Sequence, residues 1–242
     1  MDINGIKEEI QKYGNTNLIT NSNLPDNRQI HAMGDSHCIF FYNSLFILEH
    51  WGFENRIPIT MYSFIKSNLN LYDVGKLLGN GHEQYPIKEN DFVLFSYGYN
   101  DFQRRIIENS TTDTIYKNID QLLNQYLETI INSKEQYKII PIINCIYPNP
   151  HHFAENVNTV NSDEFRYEIT KYVNMYLKQK CDENNVLFFD IYDLIKDEKG
   201  FIKLEYTKDG IHLNYDNNEL RIMIDNILIN LCKNYLIKSL NL

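Results

Sequence analysis

The chain has 242 residues, enough for one α/β domain that buries its own core without metal or disulfide help. Hydrophobic residues make up 43% and charged residues 23%, a balance that excludes a disordered polymer. The net charge of −9 argues against a protein that tracks phosphates, because nucleic-acid binders need a basic face.

Residues 1–28 read as an N-terminal arm. Asp2 to Tyr13 suits a short amphipathic helix, and Gly14 to Asn17 and Asn21 to Asn27 are turn-rich. The first residues are acidic and lack a long apolar run, so they are not a signal peptide, and no stretch approaches a membrane-spanning length. The expectation is a cytoplasmic protein with no membrane partner. Cys38, Cys145, Cys181 and Cys232 are widely spaced without a C-x-x-C pair, which predicts free thiols in a reducing compartment.

From residue 29 to 242 the chain reads as one domain of alternating strands and helices. Gln29 to Met33 is a strand stopped by Gly34. His37 to Trp51 carries Phe40, Phe41, Leu45 and Leu48 on one face and predicts a helix. Ile57 to Phe64 is β-rich and predicts the second strand, and Phe92 to Ser96 the third. Ile115, Ile119, Leu122, Leu123, Tyr126, Leu127 and Ile130 recur at helical spacing within Thr114 to Ser133. Lys138 to Cys145 is an Ile-rich strand. Ser162 to Asn184 is a long helix with Ser162 as N-cap, Val186 to Asp190 the fifth strand, and Asn217 to Lys238 the last helix. Short apolar strands alternating with helices call for a parallel sheet covered on both faces, a three-layer α/β/α domain. Ligands bind such sheets beyond the carboxyl ends of the strands. Gly34-Asp35-Ser36 lies there, after the first strand, and so does Gly98-Tyr99-Asn100-Asp101, after the third.

A serine between strand and helix sits where backbone N–H groups and the helix N-terminus favour a developing oxyanion. Taken alone, Gly-Asp-Ser is equally a strand exit with a helix cap. In Asp209-Gly210-Ile211-His212, a turn tightened by glycine can bring a carboxylate and a base to one side of the chain, as a serine nucleophile requires. Alone, it is also a charged surface turn. The Asn100 amide is a suitable neutral donor for an oxyanion hole, and Asp101 suits a loop or helix cap. The conjunction of the three strings, in this order on one rim, is far more specific than any one of them.

These residues resemble the SGNH, or GDSL-type, hydrolase superfamily over roughly residues 29–235. Its first block is matched by Gly34-Asp35-Ser36, its third by Gly98-x-Asn100-Asp101 and its last by Asp209-x-x-His212. The resemblance implies a five-stranded, flavodoxin-like sheet of order 2-1-3-4-5. It also implies Ser36 as nucleophile, His212 as base, Asp209 as its orienter, and an oxyanion hole built from the Ser36 N–H and the Asn100 side chain. The family's second block supplies a further N–H from a glycine. Gly75 and Gly79 are the choices here, with Gly81 beyond them, and Gly75 is taken as the candidate. Gly-Asp-Ser-His with Ile59-Thr60-Met61-Tyr62-Ser63-Phe64 resembles a bacterial and viral subgroup found near polysaccharide-modifying genes. That subgroup continues Ser-Phe-Gly where this chain has Ser63-Phe64-Ile65.

The expected function is a serine esterase acting on an O-acyl, above all O-acetyl, ester of a carbohydrate, with a small-molecule or glycan ester as partner. A sugar O-acetyltransferase using the same site and a non-catalytic carbohydrate-binding module on the same fold are the alternatives. His37 either meets substrate or packs locally. Arg104 and Arg105 either face the cleft, holding an anionic or polyhydroxylated ligand, or lie on a solvated helix face. Tyr147 and Phe153 suit a cleft wall that stacks on a sugar ring. His151-His152 lacks a third ligand, so neither a metal nor another cofactor is expected.

Overall fold

Phe92 to Phe95 and Ile140 to Ile143 are continuous apolar runs whose residues are all buried, as in a sheet covered by helices on both faces. The computed structural model describes residues 24, 28–41, 46–49, 61, 64, 65, 87–105, 110, 111, 113–150 and 162–239. The strands are β1 (Ile30–Gly34), β2 (Phe46–Glu49), β3 (Phe92–Ser96), β4 (Ile140–Asn144) and β5 (Leu187–Phe189). All pairings are parallel and the order is β2-β1-β3-β4-β5, as the family resemblance implies.

Successive side chains of a strand point to opposite faces, so one run feeds two cores. In β3, Phe92 and Leu94 pack on one side and Val93 and Phe95 on the other. All four are fully buried, which is worth roughly 1.5–3 kcal/mol each. The first core is closed by Phe40 and Phe41 of a 3-10 helix (Ser36–Phe41), by the short α3 (Tyr192–Ile195) and by α4 (Asn218–Ser239) through Leu220, Ile224 and Leu228. The second is closed by α1 (Ile115–Tyr137) and α2 (Asp163–Glu183). Ser162 caps α2 as expected, accepting the Phe165 N–H at 3.3 Å. Among the described residues no helix is long and apolar enough to cross a membrane. The four cysteines are free and buried.

Two contacts fix β1 against β3. At their amino ends the buried Asp91 carboxyl meets His31 Nε2 at 3.1 Å and accepts the Gln29 and Lys88 N–H groups at 3.0 and 2.9 Å. Burial pushes this carboxyl up, but the hydrogen bonds from His31 and the two backbone groups outweigh it and hold Asp91 below the ordinary aspartate range. At their carboxyl ends Gly34 lies opposite Ser96. A Cβ on Gly34 would stand 2.1 Å from the Ser96 carbonyl oxygen, so only glycine permits this approach.

One region departs from the sequence expectation. The helix expected over His37 to Trp51 is a single 3-10 segment ending at Phe41, followed by β2 at Phe46–Glu49. The strand expected over Ile57 to Phe64 is absent where it is described, since Met61, Phe64 and Ile65 are helical. Short apolar runs satisfy helical and extended spacing alike, and pairing of Phe46 and Ile47 with His31 and Ala32 decides the matter. Of the expected arm, Leu24 and Arg28 are described, and Leu24 joins the first core. The rest lies outside the described residues.

Gly34→Ala is expected to destabilise the fold by about 1–3 kcal/mol in urea titration, and an unchanged midpoint would contradict the close approach. Asp91→Asn is expected to lower the thermal midpoint at neutral pH. The depressed carboxyl contributes stability above the unfolded value of 3.8 and loses it as pH falls through its lower folded value. The difference between wild type and variant should therefore close below pH 3.8, whereas a constant difference would refute the assignment.

Candidate active site

β1 ends against Ser96, and the chain turns at once into the 3-10 helix that begins with Ser36. The Asp35 N–H extends the ladder by donating to the Ser96 carbonyl at 2.9 Å. The Asp35 side chain then folds back, Oδ1 accepting the His37 N–H at 3.0 Å. This local turn leaves Ser36 half-buried at the carboxyl end of the sheet, between two residues that are almost wholly interior.

The partner loop comes from the far end of the chain. Thr207 pairs with Leu213, and Leu213 is 1% exposed, so the turn between them is pinned to the core. Thr207 Oγ1 accepts the Gly210 N–H at 2.7 Å, and Gly210 takes φ +83°, a conformation that glycine adopts without penalty. Asp209 Oδ1 accepts the Ile211 and His212 N–H groups at 2.9 and 2.7 Å. Its other oxygen meets His212 Nδ1 at 2.7 Å. His212 Nε2 in turn lies 2.8 Å from Ser36 Oγ. Burial pushes the Asp209 carboxyl up, but the His212 ring and backbone hydrogen bonds prevail and hold it well below the ordinary range. Asp209 is thus a fixed negative charge on Nδ1, and that charge favours the tautomer whose bare Nε2 faces the serine.

Behind Ser36 the wall is polar and closed. His37 is 3% exposed, its ring centroid 4.1 Å from Tyr99, 5.0 Å from Tyr147 and 4.9 Å from His212. Burial, with His212 beside it, keeps His37 neutral by holding its pKa well below the usual histidine value. Asn144, at the end of β4, donates through Nδ2 to Ser96 Oγ at 2.9 Å and to the Tyr147 hydroxyl at 3.3 Å. Further along the rim Gln103 Nε2 donates to Asn149 Oδ1 and Thr170 Oγ1, both at 3.0 Å.

The residues singled out from sequence are distributed as follows. Ser36, His212 and Asp209 form one hydrogen-bonded chain. Asn100 is half-buried in the helical turn after β3, on the same rim. Gly98 before it has φ +116°, and a Cβ there would stand 2.6 Å from Ile146 and Met61 side-chain atoms. Tyr147, at 2% exposure, faces the His37 ring and the interior. Arg104 belongs to a π-helical turn (Asp101–Arg105), and its side chain lies outside what is described. Gly75, Gly79, Gly81, His151, His152 and Phe153 also lie outside the described residues. Among the described residues no three His, Cys, Asp or Glu side chains group as metal ligands. Sequence reasoning missed the buried Asp35 and the Asn144–Ser96 contact. Their one signal is a polar residue placed directly at the end of an apolar strand.

A sequence profile described as GDSL-like lipase/acylhydrolase matches residues 30–222. Among solved structures, a proposed acylhydrolase from Bacteroides fragilis superposes with a TM-score of 0.54 at 16% identity, covering 99% of this chain and 99% of that one. A GDSL-like lipase from Bacteroides thetaiotaomicron gives 0.53 at 16% identity, covering 98% and 100%. At these identities the likeness is one of fold. No curated protein matches the chain in sequence.

Because a Cβ on Gly210 meets nothing within 4 Å, substitution there tests backbone conformation alone. Gly210→Ala is expected to cost about 1–2 kcal/mol in chemical denaturation, and Gly210→Asn less, since Asn tolerates positive φ. Equal stability of glycine and alanine forms would show that the turn does not need this conformation.

Proposed function

The chain belongs to the GDSL-like lipase/acylhydrolase family, and from that premise we propose that it is a serine esterase whose nucleophile is Ser36. The observation that carries this reading is the unbroken chain Ser36 Oγ–His212 Nε2–His212 Nδ1–Asp209 Oδ2, with steps of 2.8 and 2.7 Å between residues. Both distances are those of proton-transfer partners already in register.

In the proposed mechanism His212 Nε2 takes the Ser36 proton as Oγ attacks the ester carbonyl. Asp209 holds Nδ1–H and stabilises the imidazolium that forms. The Ser36 N–H and the Asn100 amide donate to the oxyanion, and the Gly75 N–H is the third donor proposed. The alcohol leaves with the proton from His212, an acyl-Ser36 remains, and water activated by the same His212 hydrolyses it. His37 and Tyr147 back the cleft from behind Ser36, and Arg104 is the residue proposed to meet substrate. The substrate class proposed is an O-acetyl ester on a carbohydrate. It rests on the Gly-Asp-Ser-His resemblance, and no cofactor enters the scheme.

Hydrolysis of p-nitrophenyl acetate by the wild type should fall about 10³-fold or more in Ser36→Ala and in His212→Ala, and about 10²–10⁴-fold in Asp209→Asn. A fluorophosphonate should label wild type at Ser36 and leave Ser36→Ala unlabelled. Absence of both turnover and labelling would leave a binding module on the same fold. With acetylated sugars as substrates and free sugars as acceptors, acetate released faster than new acetyl sugar supports hydrolysis over transfer.

A further inference from the structure

Asp35 stands one residue before the nucleophile and takes no part in the proton chain. It is 1% exposed. Its Oδ1 holds the His37 N–H, while Oδ2 is buried without a hydrogen-bond partner. Oδ2 is not alone, because the Tyr99 hydroxyl and both His37 ring nitrogens are buried and unpartnered as well. Asp35, His37 and Tyr99 line one small cavity behind Ser36, together with Ser96, Cys145 and Tyr147. The space is about 10 Å³, room for one water molecule with two or more polar partners.

An ionised carboxylate in this place would be a buried charge facing other acids. Asp101 faces it from the π-helical turn, His37 from the 3-10 helix, Tyr99 from the turn after β3, and Tyr126 from α1. Cys145 and Tyr147 line the same space from the segment after β4. Tyr99, Tyr126, Cys145 and Tyr147 are weak acids that burial pushes further toward their neutral forms, and His37 is held neutral. The buried Arg166 acts on Tyr99 beside it, and among the described residues no cation acts on the Asp35 carboxyl itself. A buried charge without a partner is far more costly than a buried neutral acid, whose hydroxyl can donate.

We infer that Asp35 is a positioning residue that works as a neutral carboxylic acid, its Oδ1 fixing the His37 N–H so that the Ser36 N–H is aimed at the oxyanion, and its Oδ2–H donated into the cavity. The inference rests on Ser36 being the nucleophile. Neutrality matters because a negative charge beside Ser36 would oppose the oxyanion that the Ser36 N–H must stabilise. Burial, with Asp101 adding to it and the His37 and Tyr99 N–H groups opposing, raises the Asp35 pKa to about 8. The acid is therefore protonated at neutral pH and loses its proton to solvent as pH rises through that value.

The test is a pH–rate profile of the full chain on p-nitrophenyl acetate, corrected for spontaneous hydrolysis, for wild type, Asp35→Asn and Asp35→Ala. Wild-type kcat should fall above about pH 8. Asp35→Ala should lower kcat at neutral pH by more than about tenfold with KM little changed. Asp35→Asn, a neutral isostere with the same carbonyl, should restore kcat to within about threefold of wild type and abolish the alkaline fall. An Asn variant as slow as the Ala variant, or one that keeps the wild-type alkaline fall, overturns the inference. Carboxyl carbon-13 NMR of wild type labelled at aspartate reads the same proton without any variant or turnover. One aspartate titrating near pH 8 supports the inference, and all aspartates titrating in the ordinary acid range overturn it. Because NMR needs no catalysis, an unreactive Ser36 would refute the esterase reading while leaving the state of Asp35 measurable.

Discussion

A hydrogen bond of 2.8 Å joins Ser36 to His212 across 176 positions of sequence, and it exists only if loops from the two ends of the chain reach the same point within tenths of an ångström. A parallel sheet supplies that convergence, because every strand ends on the same rim. The rim is held rigid at β1 and β3, where Asp91 ties the amino ends and Gly34 lets the carboxyl ends close on Ser96. The opposite loop is held by Leu213 in the core and by the hydrogen bonds that Asp209 and Thr207 make to its backbone. Neither loop is long, so little conformational entropy remains to be lost when substrate binds.

Electrostatics on this rim are arranged by depth. Asp209 is 34% exposed and richly hydrogen-bonded, and it stays ionised where a cation must form on His212. His37 and Asp35 are closed in behind Ser36 and sheltered from water, and burial drives both to their neutral forms. The site therefore has a fixed negative charge on the outer side of His212, while Asp35, the acid adjoining the nucleophile, keeps its proton at neutral pH. An acyl transfer that creates an oxyanion at Ser36 and an imidazolium at His212 needs that division.

Much of this was legible in the sequence, for identifiable reasons. β3 was read at its true bounds because Phe92 to Ser96 is a continuous apolar run between turn residues. The long helices were read because their apolar positions repeat every three or four residues, and α2 because Ser162 is a strong cap. The Ser36–His212–Asp209 chain was legible because each member lies within two residues of a glycine at a predicted strand end or turn. β2 was not legible, since Phe46 to Glu49 is too short to show a period and takes its conformation from its pairing with β1. The inward turn of Tyr147 was missed for a related reason. An aromatic residue after a strand reads equally as cleft wall or as core, and the Asn144 donor that holds its hydroxyl is a tertiary contact.

The central claim is that Ser36 carries the acyl group between ester and water. It is tested most directly by acid-quenching the protein during turnover of p-nitrophenyl acetate and locating the bound acetyl by peptide mass spectrometry. The account predicts an acetyl group on the peptide containing Ser36, formed before steady state and cleared as substrate is exhausted. Turnover that proceeds with no acetyl on Ser36, or with the acetyl on another residue, would contradict it.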